Sequence, residues 1–418
     1  GLSGAKPDPL TVERLLPEHI LNTSRTGLEP IRGVTVSNPE KNAGKLGKDY
    51  ISYAVVVDGN KKRSLEEKYT SFEDVEKEAK TGSASPDVKS VPQPLPENIG
   101  VRRRYSEFVW LRNTLAECFP GLFIPPLPRK QLIGNINPKF VRDRCRGLQV
   151  FMARLLRRHP FMFHSAPFKI FVTKLLPGEF ALERRKFDRS LSTWSEGQVV
   201  EMYKKLFAKE MNIIDGNVPK DPTDLVHFMR TFLLDSKQHM DEVRIRTGKI
   251  AQNFEIIAQN THKMCAALIQ VKGGADVDPN FKEHNQGRDE LRKRLEKYAD
   301  QMESASDMHE VLSKDAENEV ADIVSMLEIV TRWQKIDKKL QTCLAKPKEA
   351  EVLIGLQGLH DLLTKILFHS EIRQYWSSRM SKFDSSHKIF SKKYQKMAEK
   401  LMEAWGCRTE DLFRAPSV

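Results

Sequence analysis

Three long stretches without proline dominate the pattern of apolar and polar positions in the second half of the chain. Between Thr223 and Lys272, apolar residues recur at steps of three and four, which is the period of one helical face. This stretch predicts a helix of about 50 residues, roughly 75 Å long at 1.5 Å per residue. A second stretch runs from Asn280 to Lys346 and a third from Glu349 to about Trp405, and glycine or proline separates them.

Helices of this length predict an all-α domain over residues 222–410, with residues 411–418 as a tail. We expect the three helices to form an elongated antiparallel bundle. Their apolar stripes are longer than one copy can cover, so a dimer is expected.

The first half of the chain has a different pattern. Short runs of β-branched and aromatic residues at Ile31 to Pro39 and Asp49 to Asp58 predict a hairpin, and Gly100 to Tyr105 predicts a third strand. Helical spacing follows from Ser106 to Phe119 and from Pro138 to His159, where Pro160 ends it. A small antiparallel sheet followed by helices is typical of an α+β domain.

This α+β domain is expected over residues 31–176. Within it, residues 59–98 are rich in Lys, Glu, Ser and Pro, which predicts a flexible insertion with one helical turn near Phe72 to Ala79. Residues 1–30 contain no apolar signal-peptide core and do not begin with Met, so a processed, flexible N-terminal segment is expected. Residues 177–221 are interpreted as a linker.

The linker contains one amphipathic helix. Its apolar face allows two interpretations: a wedge inserted into the surface of a membrane, or a strut packed between the domains. The wedge interpretation makes Val199, Tyr203, Leu206 and Phe207 membrane-inserting residues, with Met211 at the end of the same face.

Positive charge is concentrated in the α+β domain. The chain carries a formal net charge of +12, and residues 100–176 hold 15 Lys and Arg against 3 acidic residues. This segment alone accounts for the excess of the whole chain, which indicates a partner that bears phosphate, either a lipid headgroup or a nucleic acid. Within it, Lys139, Arg154, Arg157 and Arg158 are interpreted as surface charges.

The length of the apolar runs and the spacing of the cysteines restrict the class of protein further. No run approaches the roughly 20 apolar residues that a membrane span needs, so membrane contact is expected to be peripheral. The five cysteines are far apart and show neither a disulfide framework nor zinc-ligand spacing, which favours a reducing cytosol. No cofactor or metal is predicted.

Three segments carry the candidate chemistry. Arg102 to Phe108 ends a strand and opens a helix, so its side chains fan out, and arginine offers a planar fork of donors to phosphate oxygens. Pro125 to Lys130 is preset to an extended form by its prolines and presents a lysine at its end. The third segment is a basic helix in which Arg144 and Leu148 share a face.

These three motifs, in this order, resemble the signature of the PX domain over about Ile31 to Leu176. The resemblance implies that Arg104 binds the 3-phosphate of phosphatidylinositol 3-phosphate and that Tyr105 stacks on the inositol. It also implies further roles: Lys130 pairs with the 1-phosphate, Arg144 reaches the 4- and 5-hydroxyl side, and Leu132 and Ile133 dip into the bilayer.

A PX domain followed by three very long helices resembles the PX-BAR sorting nexins. The resemblance implies a curved dimer, homomeric or formed with another BAR-type sorting nexin, that senses or shapes endosomal membranes during sorting. It also implies a cytoplasmic protein, peripheral on endosomes, with retromer-type coat or cargo proteins as further partners.

The sequence disfavours three other classes of function. A basic coiled-coil scaffold that binds acidic partners or nucleic acid is disfavoured because prolines interrupt the basic residues and no zinc or RNA-binding pattern occurs. An enzyme is disfavoured because the chain lacks a glycine-rich phosphate loop and a nucleophile elbow. A scaffold with an inactive PX site is disfavoured by the intact Arg104, Tyr105, Lys130 and Arg144.

Overall fold

The computed structural model describes residues 9–21, 33–43, 49–57, 99–130, 137–208, 222–270, 281–345 and 350–405. The predicted insertion 59–98, its helical turn near Phe72 to Ala79, and Leu132, Ile133 and Met211 lie outside these residues. The described chain falls into two compact units. One comprises Gly1–Val226 with Ser325–Ile372, and the other comprises His227–Val324 with Arg373–Val418.

The first unit contains a three-stranded antiparallel sheet in the order β1-β2-β3. Its strands are β1 (Val34–Asn42), β2 (Tyr50–Val57) and β3 (Ile99–Arg104). The predicted hairpin is confirmed: Val34 pairs with Val57, and the register shifts between Ser37 and Glu40, where Asn38 has a φ of 43°.

Helices follow the sheet, as the pattern predicts for an α+β domain. Short helices α1 (Val12–Leu15) and α2 (Glu18–Leu21) precede it. After β3 the chain forms α3 (Tyr105–Cys118), α4 (Pro138–Arg158), a 3-10 turn (Pro160–His164), α5 (Ala166–Thr173), α6 (Pro177–Leu191) and α7 (Glu196–Leu206).

The expectation of a flexible N-terminal segment is wrong for residues 9–21. Leu10, Leu15 and Leu16 are at most 2% exposed. Gln198 donates a hydrogen bond to the Leu10 carbonyl at 2.6 Å, and α1 and α2 both contact α7. Local pattern cannot reveal this packing, because the surface that covers the segment lies nearly 190 residues further along the chain.

Burial also contradicts the membrane-inserting role expected for the linker helix. Val199, Tyr203, Leu206 and Phe207 are all at most 4% exposed. The Tyr203 hydroxyl donates to the Pro120 carbonyl at 2.7 Å. The apolar face of α7 is therefore covered by protein, as the strut interpretation requires of it, and offers no free face to lipid.

Four further helical segments complete the chain: α8 (Thr223–Gln270), α9 (Phe281–Ala345), α10 (Ala350–Lys365) and α11 (Ile372–Trp405), with a π-turn (Ile366–Glu371) before the last. The predicted long helices are confirmed, with the third interrupted by the π-turn. No helix in the described parts of the chain is both long enough and apolar enough to cross a bilayer.

The C-terminal part of α9 and all of α10 belong to the first unit. Trp333 is 2% exposed and donates to the Thr364 hydroxyl at 2.8 Å, and α10 packs on α7. Gly121, in the turn after α3, has a φ of +92°, and a Cβ there would lie 2.5 Å from a methyl carbon of Leu363. Glycine therefore meets both a backbone and a packing requirement at this position.

Arg158 is not a surface charge. Its guanidinium forms an ion pair with Glu371, whose side chain is 0% exposed, while the Arg158 side chain is 12% exposed. The backbone N–H of Phe123 also donates to the Glu371 carboxylate, at 3.3 Å. Helical spacing alone did not identify this partner because it lies 213 residues away.

In the second unit, the described core combines alanines and methionines with larger residues, among them Leu233, Ile323 and Tyr375. Ala305, Met308 and Met397 form a buried cluster against which Phe254 and Phe390 pack. The Phe254 ring stacks on His309 with centroids 5.5 Å apart. Many large apolar side chains of this unit stay exposed, among them Phe228, Ile256, Met264 and Ile269.

Candidate anion-binding site

Alternation along β3 gives the three consecutive arginines different environments. Arg103 points into the core and is 1% exposed. Its guanidinium donates to the Phe171 carbonyl at 2.7 Å and to the Lys174 carbonyl at 2.6 Å, and it stacks on the Phe180 ring at 4.3 Å. Burial lowers the pKa of Arg103 to about 10. This arginine joins the sheet to the end of α5 and is not available to a ligand.

Arg102 lies on the opposite face and is bound by protein groups. It pairs with Glu40 at 2.9 Å and donates to the Ser52 hydroxyl at 3.0 Å and to the Asn38 carbonyl at 2.8 Å. Burial lowers the pKa of Arg102, while the nearby Glu40 carboxylate opposes that shift. Its donors stabilise the hairpin beside the bulge of β1.

Arg104 ends β3 and differs from its two neighbours. Its side chain is exposed, and its guanidinium carbon lies 3.4 Å from the centroid of the Tyr50 ring. Among the residues that the structure describes, no carboxylate pairs with this guanidinium. The Arg104 backbone N–H donates to Glu107 at 2.8 Å, which fixes the start of α3. The guanidinium edge is therefore open to an external anion.

Tyr105 connects the strand end with the proline-rich segment. Its hydroxyl donates to the Pro128 carbonyl, two residues before Lys130. Burial raises the pKa of Tyr105, and the positive charge of Arg144 opposes that rise. The hydroxyl remains a neutral donor, so the aromatic ring is held in one orientation beside Arg104.

Arg144 lies between two aromatic rings. Its guanidinium carbon is 4.6 Å from the centroid of Tyr105 and 4.2 Å from that of Phe140, and the residue is 7% exposed. Its Nε is buried without a hydrogen-bond partner in the described part of the chain, and the Tyr53 hydroxyl lies close to its guanidinium. Because aromatic rings cover the two faces of the guanidinium, only its N–H edge is available to a ligand. A buried N–H donor without a partner favours a ligand that carries a hydrogen-bond acceptor.

The proline-rich segment packs on α4. A Cβ added to Gly147 would meet the Pro128 ring at 2.8 Å, so the close approach needs glycine. Lys130 is exposed at the end of the described segment. The structure thus brings together the three predicted motifs through Tyr105, Pro128 and Arg144.

Two aromatic residues beside the cations were missed from the sequence: Tyr50 under Arg104 and Phe140 under Arg144. Tyr50 could have been found from sheet register, because Ser52 pairs with Arg104 and Tyr50 is the diagonal neighbour on the same face. Phe140 precedes Arg144 by four residues, which is one helical turn.

A separate group in the second unit has metal-ligating residue types. His262, Asp300 and Glu303 place ligand atoms within 4.8 Å of one another, and all three side chains are exposed. His262 and Glu303 already contact each other at 3.2 Å. Such surface groups are common without a metal, so this cluster carries no functional conclusion.

Comparisons with known proteins identify the families that this chain resembles. Residues 91–175 match the family model of the PX domain. The chain is 25% identical to "Sorting nexin 1" of Arabidopsis thaliana over 191 residues, which is 45% of this chain and 46% of that protein. It is 40% identical to human "Sorting nexin-7" over 77 residues, 18% of this chain and 20% of the relative. The chain thus spans less than half the length of these relatives.

One relative and one solved structure extend the comparison. "Vacuolar protein sorting-associated protein vps5" of Schizosaccharomyces pombe is 38% identical over 80 residues, 19% of this chain and 14% of that protein. A cryo-EM structure of the tetramer of the SNX-BAR protein Mvp1 matches with a TM-score of 0.50 at 15% identity, covering 89% of this chain and 98% of that one.

The fold and the matched motifs define a protein with a PX domain followed by a long helical region. Its homologues include sorting nexins, and its architecture is similar to that of an SNX-BAR protein. The resemblance that the sequence motifs indicated is confirmed at this level.

Proposed function

We propose that this chain is a non-enzymatic, peripheral membrane-binding protein whose PX domain binds the headgroup of phosphatidylinositol 3-phosphate. In the proposed complex, Arg104 binds the 3-phosphate and Tyr105 supports the inositol ring. Lys130 pairs with the 1-phosphate, and Arg144 donates to the 4- and 5-hydroxyl side.

The environment of Arg104 carries this proposal. Arg102 and Arg103 use their donors on protein acceptors, whereas the guanidinium of Arg104 has no carboxylate partner among the described residues. An arginine edge binds two phosphate oxygens at once, and charge-assisted hydrogen bonds are each worth about 1.5 to 3 kcal/mol. Tyr105 and Arg144, which contact each other, supply an aromatic face and a second cation next to it.

The helical region supports the second part of the proposal, which is dimer formation and a role at curved endosomal membranes in protein sorting. Phe228 is 64% exposed and Met264 is 56% exposed on α8. Large exposed apolar side chains favour an interface with another chain. We propose a homodimer, or a heterodimer with another BAR-type sorting nexin, that recruits coat or cargo proteins.

Liposome flotation with Arg104→Gln tests the headgroup site. The substitution keeps side-chain length but removes the charge, so binding to vesicles containing phosphatidylinositol 3-phosphate should weaken at least tenfold, about 1.4 kcal/mol. The melting temperature and the dimer should be nearly unchanged because Arg104 is exposed at the end of its strand.

Arg157→Gln is the matched control. Arg157 is exposed on α4, so this variant removes the same charge from the same basic region without touching the site. Arg158 is unsuitable for this purpose because it is paired with the buried Glu371. Equal losses in the two variants would show that net charge alone attracts the vesicle, and the proposed headgroup site would be rejected.

A further inference from the structure

The Tyr50 ring covers one face of the Arg104 guanidinium. Tyr50 is the first residue of β2, and Arg104 is the last residue of β3. Because Ser52 pairs with Arg104, the tyrosine two residues earlier lies diagonally across the two strands on the same face. The distance of 3.4 Å from guanidinium carbon to ring centroid corresponds to a stacked arrangement.

We propose that Tyr50 is a positioning residue for headgroup binding, which holds the guanidinium of Arg104 with its N–H edge toward the 3-phosphate. This inference rests on the proposed function of the site. A cation over an aromatic face is attracted by the ring quadrupole, and the attraction requires the ring but no hydroxyl. Stacking also restricts the rotamers of this long side chain, so less conformational entropy is lost when phosphate binds.

The position of Tyr50 favours a role in orienting Arg104 over a role in the hydrophobic core. Tyr50 is only partly buried at the end of its strand, whereas Tyr53, on the other face of β2, is fully buried. Along the triplet, Arg102 is fixed by Glu40 and Arg103 by backbone carbonyls. Arg104 has no carboxylate partner in the described residues, and the ring of Tyr50 takes the place of one. An aromatic ring orients the cation without competing with phosphate for its donors.

Tyr50→Leu and Tyr50→Phe in the full chain provide the test, with flotation on vesicles of phosphatidylcholine with and without phosphatidylinositol 3-phosphate. We expect Tyr50→Leu to bind about threefold to tenfold more weakly than the parent protein. Tyr50→Phe should retain parent affinity because it keeps the ring. Ile51→Ala is the matched control, because the next residue of the same strand points to the opposite face.

A double-mutant cycle with Arg104→Gln identifies the path of the effect. If Tyr50 acts through Arg104, the double variant Tyr50→Leu, Arg104→Gln binds no more weakly than Arg104→Gln alone. Additive losses, an equal loss in Tyr50→Phe, or parent affinity in Tyr50→Leu would overturn the inference. If Arg104→Gln itself binds normally, the proposed headgroup site fails, which is a different result from failure of Tyr50 alone.

Discussion

The two compact units differ in how they bury apolar side chains. The first has a core of large aromatic residues, and Phe108, Phe161 and Phe171 are all 0% exposed. In the second, the fully buried residues include Ala299 and Ala305, whereas Phe228 is 64% exposed. The first unit therefore buries its aromatic core within one chain, although Ile354 of α10 is 68% exposed. The second exposes large apolar side chains along α8, such as Phe228 and Met264, which the proposed dimer would cover.

The two units also differ in where their charged residues form ion pairs. In the first unit, Glu371 and Arg158 are distant in sequence and pair in the interior. In the second, Glu242 and Arg246 are one helical turn apart and exposed, as are Glu290 and Arg294. Local surface pairs stabilise a helix by a few tenths of a kcal/mol, whereas a broken buried pair leaves an uncompensated charge. In the second unit, Arg379 and Glu319 also pair across the sequence, at 2.9 Å, but their side chains are 19% and 16% exposed, so Glu371 of the first unit is the more completely buried carboxylate.

The largest effect is expected from Glu371→Ala. Removing this carboxylate leaves the Arg158 guanidinium buried without its counter-ion and the Phe123 N–H without its acceptor. Breaking a buried pair in this way costs about 3 to 5 kcal/mol of folding free energy. Chemical denaturation should show this loss in the transition of the first unit.

Glu328→Ala is the matched control, because Glu328 also pairs with an arginine, Arg112 at 2.8 Å, but is 43% exposed. Because Glu328 is exposed to solvent and Arg112 keeps the Pro125 carbonyl and the Ser325 hydroxyl as acceptors, the loss should be about 1 kcal/mol or less. Similar losses in the two variants would contradict the distinction between interior and surface charge.

A smaller effect is expected from Phe228→Glu, which tests whether the exposed apolar surface of the second unit forms the dimer interface. A buried phenylalanine contributes about 1.5 to 3 kcal/mol, so loss of its contact should raise the dimer dissociation constant at least tenfold. Analytical ultracentrifugation of the full chain measures this constant. Gln252→Glu adds the same charge at an exposed polar position of α8 and should have little effect. A parent protein that is monomeric at micromolar concentration would contradict homodimer formation and favour a heteromeric partner.

The smallest effect concerns His164 of the first unit. Burial lowers the pKa of His164 to about 4, and the nearby Lys169 and His19 act in the same direction. A histidine whose pKa is lower in the folded state favours folding in its neutral form. Its contribution is complete above about pH 6.5 and is lost as the pH falls toward 4.

His164→Gln should therefore flatten the decline of stability between pH 6.5 and pH 4, by on the order of 1 kcal/mol because solvent screens the half-buried ring. Thermal melts across that range measure the difference from the parent protein. His227→Gln, at an exposed position, should leave the profile unchanged. An identical slope in the parent and the His164 variant would refute the assignment.

The sequence predicted which residues form strands and helices better than it predicted what covers them. Alternation and helical spacing identified the hairpin, α4 and the long helices, because each pattern is local. The same spacing identified the apolar face of α7 without showing that residues 10–21 and α10 would pack against it. Those segments are far apart along the chain, and periodicity records no distant partner.

At the candidate site, too, the sequence predicted the residues better than it predicted their contacts. The order of the motifs indicated Arg104, Tyr105, Lys130 and Arg144, and the structure joins the strand end, the proline-rich segment and α4 through Tyr105 and Pro128. From the sequence alone, the environments of the three consecutive arginines Arg102, Arg103 and Arg104 could not be distinguished. Strand alternation and the neighbours Glu40 and Tyr50 separate the three arginines into three environments.

The burial of Arg144 between two rings has a consequence for binding kinetics. Exposed charges such as Arg157 act at a distance and accelerate the encounter with an acidic surface, so their removal lowers the association rate. Arg144 is 7% exposed, and the Tyr105 and Phe140 rings cover its faces. Its field should contribute little to the encounter, whereas in the proposed complex its hydrogen bonds would have to break before a headgroup could leave. The proposed site therefore assigns residence time on the membrane to this interior arginine and the rate of arrival to the surface charges around it.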